Sequence, residues 1–350
     1  EGNLNKAKEL AQAACEAGAD CIKFQWVYAH EILHPKTGIV HLPGGDISLY
    51  DRFKQLEVSP DFFSDIQNFV HSLGKKFMCS PFGIQSLQEL FAIQPDYIKI
   101  ASPELNHIPL LKEAVRLQSC TKKNLPVILS TGVSTKEDIL YALNILAPLK
   151  SLSLLHCVTS YPAPPEDYNL ALLKLYADEF ALPVGVSDHS LSPFTVPLIS
   201  LVCGGSIIEK HITLSKKTKG LDDPVALEPD DFKRMTDKIR VAETLSQDEL
   251  LLQLYDEFGK KTVEAVIGTG KKTLAESEKE NYGRTNRSIH AVKSIKKGEI
   301  IKESDIAVLR TEKILSVGLH PKFFDAIIGK KSAQDICDGE GILWEHLTAE

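Results

Sequence analysis

Residues 182–213 read LPVGVSDHSLSPFTVPLISLVCGGSIIEKHIT, and this stretch decides the fold. It contains two apolar runs, Leu182–His189 and Ser206–Thr213, and each carries a histidine at or near its end. Such runs predict buried strands, and the residues between them have the length of one helical crossover. Two neighbouring parallel strands would bring His189 and His211 together at the rim where barrel enzymes keep their active sites. Converging imidazoles there predict a divalent-metal site or an acid/base pair.

The rest of the chain repeats the same unit, a short apolar strand followed by an amphipathic helix. Seven strands are predicted, at residues 21–25, 76–80, 97–102, 126–131, 152–158, 182–187 and 206–211. Alternating strands and helices indicate an α/β fold with a parallel sheet, and we predict a (β/α)8 TIM barrel. The alternative is an open doubly wound sheet, but no glycine-rich GxGxxG turn follows any of the strands.

The strand count leaves the barrel one strand short. A closed barrel needs eight strands, whereas the first helical pattern, Asn3–Ala17, has no strand before it. We therefore expect the first strand to be missing from this chain. Barrel closure would put that strand beside the one that carries His211, so the gap would adjoin the predicted metal site.

Composition restricts the classes of function. The chain has 350 residues, of which 43% are hydrophobic and 25% charged, which is typical of a globular protein. A net charge of −7 argues against a general nucleic-acid surface. No run approaches 18 consecutive apolar residues, so no membrane span is expected. Seven cysteines without a CxxC motif indicate reduced thiols and predict a cytoplasmic protein.

Three regions follow from changes in the sequence pattern. The barrel is predicted to span residues 1–258. Residues 259–286 are rich in Lys, Glu, Gly and Thr and are predicted to be a linker. Residues 287–350 change to short strands and turns, which predicts a small β-rich domain.

A long insertion, residues 26–59, follows the first predicted strand. Insertions of this size at the active-site face of a barrel are often lids or binding loops. Its histidines, His30, His34 and His41, are predicted to be solvated loop residues.

Two lysines lie within apolar strands at the predicted rim. An unpaired ammonium group is costly to bury, so Lys23 and Lys99 need a partner. A bound anion would serve, and the serine and threonine hydroxyls at the other strand ends would complete a phosphate or carboxylate cradle. A buried ion pair of Lys99 with Glu104 or Glu209 is the structural alternative, and a Schiff-base lysine is the third.

Other polar residues of the strands are interpreted more simply. His156 is predicted to be a core histidine with its hydrogen bonds satisfied. Cys157 follows it and faces the opposite way, so the two do not form a nucleophilic dyad. Asp188 and Glu209 are predicted to bind the metal or to orient its histidines.

Several of these motifs together resemble the sialic acid synthase family, which comprises the N-acetylneuraminate, legionaminate and pseudaminate synthases. The motifs are KFQ at 23–25, CSPF at 79–82, YIKIASPE at 97–104, ILSTG at 128–132, LLHCVTSYPAP at 154–164, GVSDH at 185–189, IIEKHITL at 207–214 and KGLDDPVALEP at 219–229. Residues 287–350 resemble the family's antifreeze-protein-like (SAF) domain. The resemblance implies condensation of phosphoenolpyruvate with an N-acylated amino-sugar aldehyde, with release of phosphate.

The resemblance also implies roles for individual residues. The catalytic residues would be Lys23, Lys99 and Glu104. The substrate-binding residues would be Ser80, Phe82, Ser102, Ser130, Thr159, Tyr161, Ser187, Asp222 and Arg310. His189 and His211 would bind a manganese or magnesium ion. A domain-swapped homodimer is implied as well, in which Arg310 of the SAF domain reaches the sugar in the partner's barrel.

The sequence departs from the family at two points. The family begins with a strand that ends in a catalytic glutamate, followed by Asn-His and a Glu-Gly pair that matches Glu1-Gly2 here. Thr159 stands where some bacterial members have Asn, so the sugar is left open. Two other functions also remain open, a Schiff-base aldolase that uses Lys99 or Lys23 and a non-catalytic sugar-binding or assembly protein.

Overall fold

The protein is described from a computed structural model, which covers residues 2–42, 45–218, 220–312 and 314–348, without the side chains of 40–42 and 45. Seven parallel strands form one sheet in which every strand pairs with the next barrel strand along the chain. They are Cys21–Trp26, Lys76–Pro81, Tyr97–Ile100, Val127–Ser130, Leu152–Cys157, Val184–Asp188 and Ile207–Lys210. All seven predicted strands are therefore confirmed. The doubly wound alternative is wrong, because such a sheet reverses its strand order at a switch point.

The sheet is a curled half-barrel whose two edges face each other. The edge strands are Cys21–Trp26 and Ile207–Lys210, and within the described residues no eighth strand lies between them. At the mouth the edges come close, because Lys23 Nζ of one lies 3.8 Å from Glu209 Oε1 of the other. A cleft of about 710 Å3 separates them elsewhere. The curl therefore brings the ends of all seven strands to one rim.

Helices pack around the outside of the sheet. The longer ones are Leu4–Glu16, Pro60–Ser72, Ile84–Ile93, Ile108–Thr121, Lys136–Leu146, Ala171–Phe180, Thr195–Val202, Pro229–Ala242 and Gln247–Phe258. Their apolar faces and the strands share one core cluster. Capping fixes where helices begin; Thr135 and Asp138, for instance, bond each other's backbone N–H groups ahead of Lys136–Leu146. No helix of the described residues is long and apolar enough to span a membrane.

The insertion at 26–59 folds into short elements over the rim. They are the helix Ala29–Ile32, a hairpin of Ile39–Leu42 and Gly45–Ser48, and the helix Leu49–Lys54. The prediction that His34 is solvated is wrong: His34 is buried, and its Nε2 lies 3.0 Å from Asp338 Oδ1 of the C-terminal domain. His30 is exposed as predicted, while the His41 side chain lies outside the described residues.

The segment predicted to be a linker, 259–286, contains a helix, Lys260–Ile267. Its Val263 and Val266 are fully buried in the barrel core. Two valines three residues apart give this short helix an apolar face, which the polar composition of the segment hid. The later part of the segment also packs on the barrel, since Glu278 is only 1% exposed. The segment is therefore part of the barrel's packing rather than a free connection.

The C-terminal region has its own small core. Strands Arg287–Ala291 and Ile306–Arg310 pair antiparallel. Ile289, Ile301 and Ile342 are buried in a separate apolar cluster, as the predicted β-rich domain requires. The domain rests on the barrel of its own chain through Arg287 and Arg310, whose contacts belong to the site described next.

Candidate active site

A small cavity lies at the rim of the half-barrel, at the ends of the strands. It has a volume of about 50 Å3 and is called the inner cavity here. Ten of the predicted site residues line it, namely Lys23, Ser80, Lys99, Ser102, Ser130, Thr159, Tyr161, Ser187, His189 and His211. They come together because alternate residues of each strand face inward and parallel strands end at the same rim.

The positive side of the inner cavity is formed by two lysines. Lys99 is buried and donates to Ser130 Oγ over 2.6 Å. Its Nζ also lies 3.7 Å from Glu209 Oε2, and Lys23 Nζ lies 3.8 Å from Glu209 Oε1. Of the alternatives for Lys99, the buried pair with Glu209 is present. One carboxylate faces two ammonium groups, so the cavity keeps a net positive charge.

Burial and charge act in opposite directions on these groups. Burial lowers the pKa of Lys99, and Glu209 offsets part of that effect. Burial alone would raise the pKa of Glu209, but Lys23 and Lys99 lower it to about 2. Glu209 also accepts a hydrogen bond from Ser187 Oγ at 2.8 Å and is therefore ionised at neutral pH.

One hydroxyl of the inner cavity has no partner within the described ranges. Ser80 is 1% exposed, and its Oγ forms no hydrogen bond there. A buried hydroxyl without a partner costs free energy, so this atom is available to a ligand beside the two lysines. Together the three residues form a site suited to an anion with several oxygen atoms.

The two predicted metal ligands, His189 and His211, lie side by side as the adjacent strands require, with ring centroids 5.4 Å apart. His189 Nδ1 lies 2.9 Å from Val158 O, so it carries the proton that it donates, and Nε2 is left as an acceptor. Burial lowers the pKa of His211 to about 4, so its ring is neutral at pH 7. The neutral His211 ring is in the state in which imidazole binds a metal. Burial alone would lower the pKa of His189, but Cys157 and the Val158 carbonyl raise it above its ordinary value.

This donor set fits a metal with only two protein ligands. No group of three or more His, Cys, Asp or Glu side chains gathers as a metal cage in the part of the chain that the structure describes. Asp188 is turned away from the cavity, because it pairs with buried Lys210. The remaining coordination positions of a metal between His189 and His211 would fall to substrate and water. Tyr161 OH, 3.1 Å from His189 Nε2, borders the same position.

A larger cavity of about 560 Å3, called the outer cavity here, adjoins the inner one. The two share the walls formed by Gln25, Thr159, Tyr161 and His211. The outer cavity also contains the three predicted substrate residues that the inner one lacks, Phe82, Asp222 and Arg310. The arrangement joins a small cationic chamber to a wider one with mixed apolar and polar walls.

Arg310 enters the outer cavity from the C-terminal domain. Its guanidinium lies 5.5 Å from the centre of the Phe82 ring. Its Nη2 donates to Glu104 Oε1 over 2.6 Å, whereas its buried Nε has no partner within the described residues. In this structure Arg310 reaches the barrel of its own chain, whereas the resemblance predicted that it reaches the partner's barrel.

Glu104 does not line either cavity, which argues against its predicted catalytic role. It is fully buried, and its two oxygens accept hydrogen bonds from Arg287 and Arg310. Burial alone would raise its pKa, but the two arginines hold it below the ordinary value. A carboxylate fixed as an ion between two guanidinium groups does not exchange protons with a substrate at neutral pH. Glu104 instead anchors the C-terminal domain to the barrel.

Arg287, which was not predicted from the sequence, is the centre of this anchor. Besides Glu104, its guanidinium donates to the backbone oxygens of Glu31, Ile32, Phe82 and Val308. It therefore ties the insertion, the barrel and the C-terminal domain together. The residue opens a strand of the small domain, and nothing in its local sequence pattern indicates a partner 183 positions away.

Cys157 and His156 face opposite ways, as strand alternation predicted. His156 is a core histidine whose Nε2 lies 2.5 Å from Tyr168 O. Its buried Nδ1 has no partner among the described residues, so the prediction that its hydrogen bonds are satisfied holds for one ring nitrogen only. Cys157 lines the inner cavity, and its Sγ lies 3.8 Å from His189 Nδ1. The thiol was overlooked as a site residue, although the alternation that turned it away from His156 could have placed it there.

Comparison with known proteins agrees with this fold. Residues 10–250 match the model of the NeuB family, and residues 286–348 match that of the SAF domain. The N,N'-diacetyllegionaminic acid synthase of Legionella pneumophila is 32% identical, over 99% of this chain and 92% of that protein. The spore coat polysaccharide biosynthesis protein SpsE of Bacillus subtilis is 33% identical, over 99% of this chain and 90% of its own length.

Solved structures show the same likeness. The crystal structure of SpsE superposes with a TM-score of 0.82 at 32% identity, covering 100% of this chain and 92% of that one. The N-acetylneuraminic acid synthetase of Leptospira borgpetersenii gives a TM-score of 0.62 at 28% identity, covering 80% and 85% of the two chains. With a matching family model over most of the barrel and relatives above 30% identity along nearly the whole chain, this protein belongs to the NeuB family.

Proposed function

We propose that this chain is a sugar acid synthase that condenses phosphoenolpyruvate with an N-acylated amino-sugar aldehyde. The products would be a nine-carbon 2-keto acid and inorganic phosphate. The observation that carries the proposal is the pair of joined cavities, one small and cationic around Lys23 and Lys99, the other wider and lined by Arg310, Asp222 and Phe82. The first suits a small anion with phosphate and carboxylate groups, and the second suits a sugar.

The residues of the inner cavity would bind phosphoenolpyruvate and hold its reactive carbon. Lys23 and Lys99 would neutralise its charges, and the hydroxyls of Ser80, Ser130 and Ser187 would donate to its oxygens. C3 of the enolpyruvate would attack the aldehyde carbon, forming the new C–C bond. Positive charge then develops at C2, where Glu209 is the nearest fixed anion of the cavity.

Completion of the reaction needs water at C2 and loss of phosphate. Water would add to C2, and one of its protons would pass to the alkoxide left by the aldehyde oxygen. The C–O bond to phosphate would then break as the C2 hydroxyl gives its proton to the departing phosphate and C2 becomes the ketone. The lysines that bound the phosphate in the substrate would also stabilise it as a leaving group. Much of the rate acceleration would thus come from positioning and from preorganised charge.

His189 and His211 would hold the divalent metal, manganese or magnesium. Bound there, the metal would supply Lewis-acid polarisation of the aldehyde oxygen at the boundary of the two cavities. The chain's own contribution is to keep the His211 imidazole neutral by burial and to orient the His189 ring by its bond to Val158 O. Thr159, Tyr161 and Asp222 would face the sugar.

The Schiff-base aldolase is the less favoured alternative. A lysine nucleophile has to be neutral, whereas Lys99 is hydrogen-bonded to Ser130 and faces the ionised Glu209. Borohydride reduction with pyruvate tests this alternative directly. A covalent adduct on Lys99 or Lys23, found by mass spectrometry, would replace the phosphoenolpyruvate proposal. A sugar-binding or assembly protein without activity would show neither adduct nor phosphate release.

The decisive experiment measures phosphate release from phosphoenolpyruvate. The assay is run with manganese or magnesium and with N-acetylmannosamine or dideoxy-diacetamido hexoses, the two sugar classes that the relatives leave open. We expect phosphate release that depends on the sugar, and a nine-carbon keto acid in equal amount. Phosphoenolpyruvate without sugar is the control, and equal rates with and without sugar would contradict the proposal.

The predicted homodimer also stays a proposal, and sedimentation at several protein concentrations tests it. Mixing an Arg310→Ala chain with a Lys99→Met chain would reveal domain swapping. Activity restored in the mixture would mean that the arginine comes from the partner. Two inactive chains that stay inactive in a mixed dimer would mean that each barrel uses its own Arg310. The predicted cytoplasmic location stays a prediction.

A further inference from the structure

The segment 272–286, called the strap here, crosses the ends of two barrel strands. It holds the loop after Val127–Ser130 and the loop after Leu152–Cys157. Glu278 of the strap is 1% exposed, and its Oε1 accepts the backbone N–H groups of Val133 at 2.8 Å and Thr159 at 2.7 Å. One buried oxygen thus connects two loops that belong to different strands.

The Thr159 backbone is held on both sides. Its N–H donates to Glu278, and its carbonyl oxygen accepts from Asn281 Nδ2 at 3.0 Å. Thr159 also lines both the inner and the outer cavity. The strap therefore fixes the backbone of a residue that lies where the two cavities meet.

The loop after Val127–Ser130, which contains Val133, has a strained backbone that other residues must support. Val133 has φ of +42°, which is rare for a β-branched residue. Such a conformation costs free energy and persists only where surrounding contacts hold it. Here Glu278 accepts the Val133 N–H, and Asn286 Nδ2 lies 3.5 Å from the Val133 oxygen.

The two loops also touch each other. A Cβ atom on Gly132 would lie 2.2 Å from Thr159 Oγ1 and 2.9 Å from Ser102 Oγ. Gly132 N–H donates to Ser102 Oγ over 3.0 Å. A shift of the Val133 loop would therefore move against Thr159 and Ser102, which both line the inner cavity.

Burying a carboxylate is costly, and only contacts that offset the cost retain it. Glu278 receives its two hydrogen bonds from the loops and a third from Ala275 N–H at 3.3 Å on Oε2. It lines neither cavity, so it does not touch a substrate bound there. Its contacts are directed to the two site loops.

We propose that Glu278 is a positioning residue, which sets Thr159 and the strained Val133 loop and so determines how the sugar end of the site is shaped. The strap would couple the C-terminal domain to substrate selection, because it leads directly into Arg287. The effect on sugar binding rests on the proposed function, whereas the effect on the two loops does not.

The test uses the full chain with Glu278→Ala, Glu278→Gln and, as a matched control on the same turn, Glu276→Gln. Glu276 is 80% exposed, so its substitution should change nothing. In Glu278→Ala we expect hydrogen exchange at the amides of Val133 and Thr159 to speed up about tenfold or more, since both lose their acceptor. Glu278→Gln keeps one acceptor oxygen and should be intermediate.

Kinetics adds a second readout. KM for the amino sugar should rise about tenfold in Glu278→Ala, with a smaller change in KM for phosphoenolpyruvate. If Glu278→Ala does not fold, Glu278→Gln and Asn281→Ala carry the test. Unchanged exchange at both amides in folded variants would overturn the inference. Faster exchange in a chain whose parent releases no phosphate with any sugar would keep the inference and reject the proposed function.

Discussion

Two buried clusters in this protein have the same make-up but different chemistry. The inner cavity joins Lys23 and Lys99 to Glu209, and the domain anchor joins Arg287 and Arg310 to Glu104. In the anchor, both carboxylate oxygens of Glu104 accept hydrogen bonds, and Nε, Nη1 and Nη2 of Arg287 all donate. In the cavity the ammonium groups lie near 3.7–3.8 Å from the carboxylate, with an unpartnered Ser80 hydroxyl beside them. Unfilled hydrogen-bonding capacity leaves the cavity able to take a ligand, whereas the filled bonds of Glu104 and Arg287 make the anchor a structural contact.

The largest expected effect comes from a substitution in the inner cavity. Lys99→Met should lower kcat/KM for phosphate release by about 10³-fold, because a fixed charge beside the reacting anion is lost. The free energy of unfolding should fall by less than in the anchor, since the removed ammonium is itself costly to bury and Glu209, 20% exposed, keeps Lys23 and Ser187 as partners. Chemical denaturation and the phosphate assay measure both. A variant that loses stability as much as activity would make Lys99 a structural residue.

Metal removal is the next largest effect. Chelation should abolish phosphate release, and manganese or magnesium should restore it. His211→Gln should raise the metal concentration needed for half-maximal activity by at least about 10-fold, because one of two protein ligands is lost. His156→Gln, at a core histidine outside the site, is the control and should leave that concentration unchanged. Full activity after chelation would refute the metal site.

The anchor side is tested by Arg287→Met. It should lower the free energy of unfolding by about 3–5 kcal/mol, because Glu104 loses one of its two partners in a fully buried site. Lys174→Met, which breaks an exposed pair with Asp178, is the control and should cost about 0–1 kcal/mol. Denaturant unfolding measures both. Equal small losses would show that the anchor is no more than a surface contact.

The smallest effect, taken over a change of one pH unit, concerns a histidine beside the anchor. Burial, together with Arg287, lowers the pKa of His107 from 6.5 to about 3. Below pH 6.5 the unfolded chain therefore binds a proton that the folded chain does not bind. Stability should fall as pH drops from about 6.5 toward 3, by up to about 1.4 kcal/mol per pH unit from this group.

His107→Asn provides the matched comparison. His107 Nδ1 accepts the Leu110 N–H at the start of a helix, and Asn is a good N-cap that keeps such a bond. Between pH 4 and 6 the free energy of unfolding should depend less steeply on pH in the variant. The decrease in slope should correspond to about one proton fewer taken up on unfolding. An unchanged slope would mean that His107 is protonated in the folded state.

The strand ends explain why most of the cavity could be predicted. Lys23, Lys99, His189 and His211 lie on regular parallel strands, where alternation and a shared rim follow from the local pattern. The roles of single residues were predicted only through the family resemblance. The catalytic role predicted for one of them does not fit its contacts in the structure. Glu104 belongs to a motif that matches the family. The two arginines that pair with its carboxylate lie 183 and 206 positions further along the chain.

Sequence by itself determined the α/β barrel, its seven strands, the histidine pair and the two lysines at the rim, because these depend on local periodicity. Only the tertiary structure decided that Glu104 is an anchor and that Glu209 is the partner of the two lysines. It also decided that residues 259–286 pack on the barrel and form hydrogen bonds with two loops at the rim. Those roles depend on which donors and acceptors, far apart in the sequence, form hydrogen bonds with each other. The local sequence pattern does not predict such pairings, since charged residues occur both in binding sites and in structural contacts.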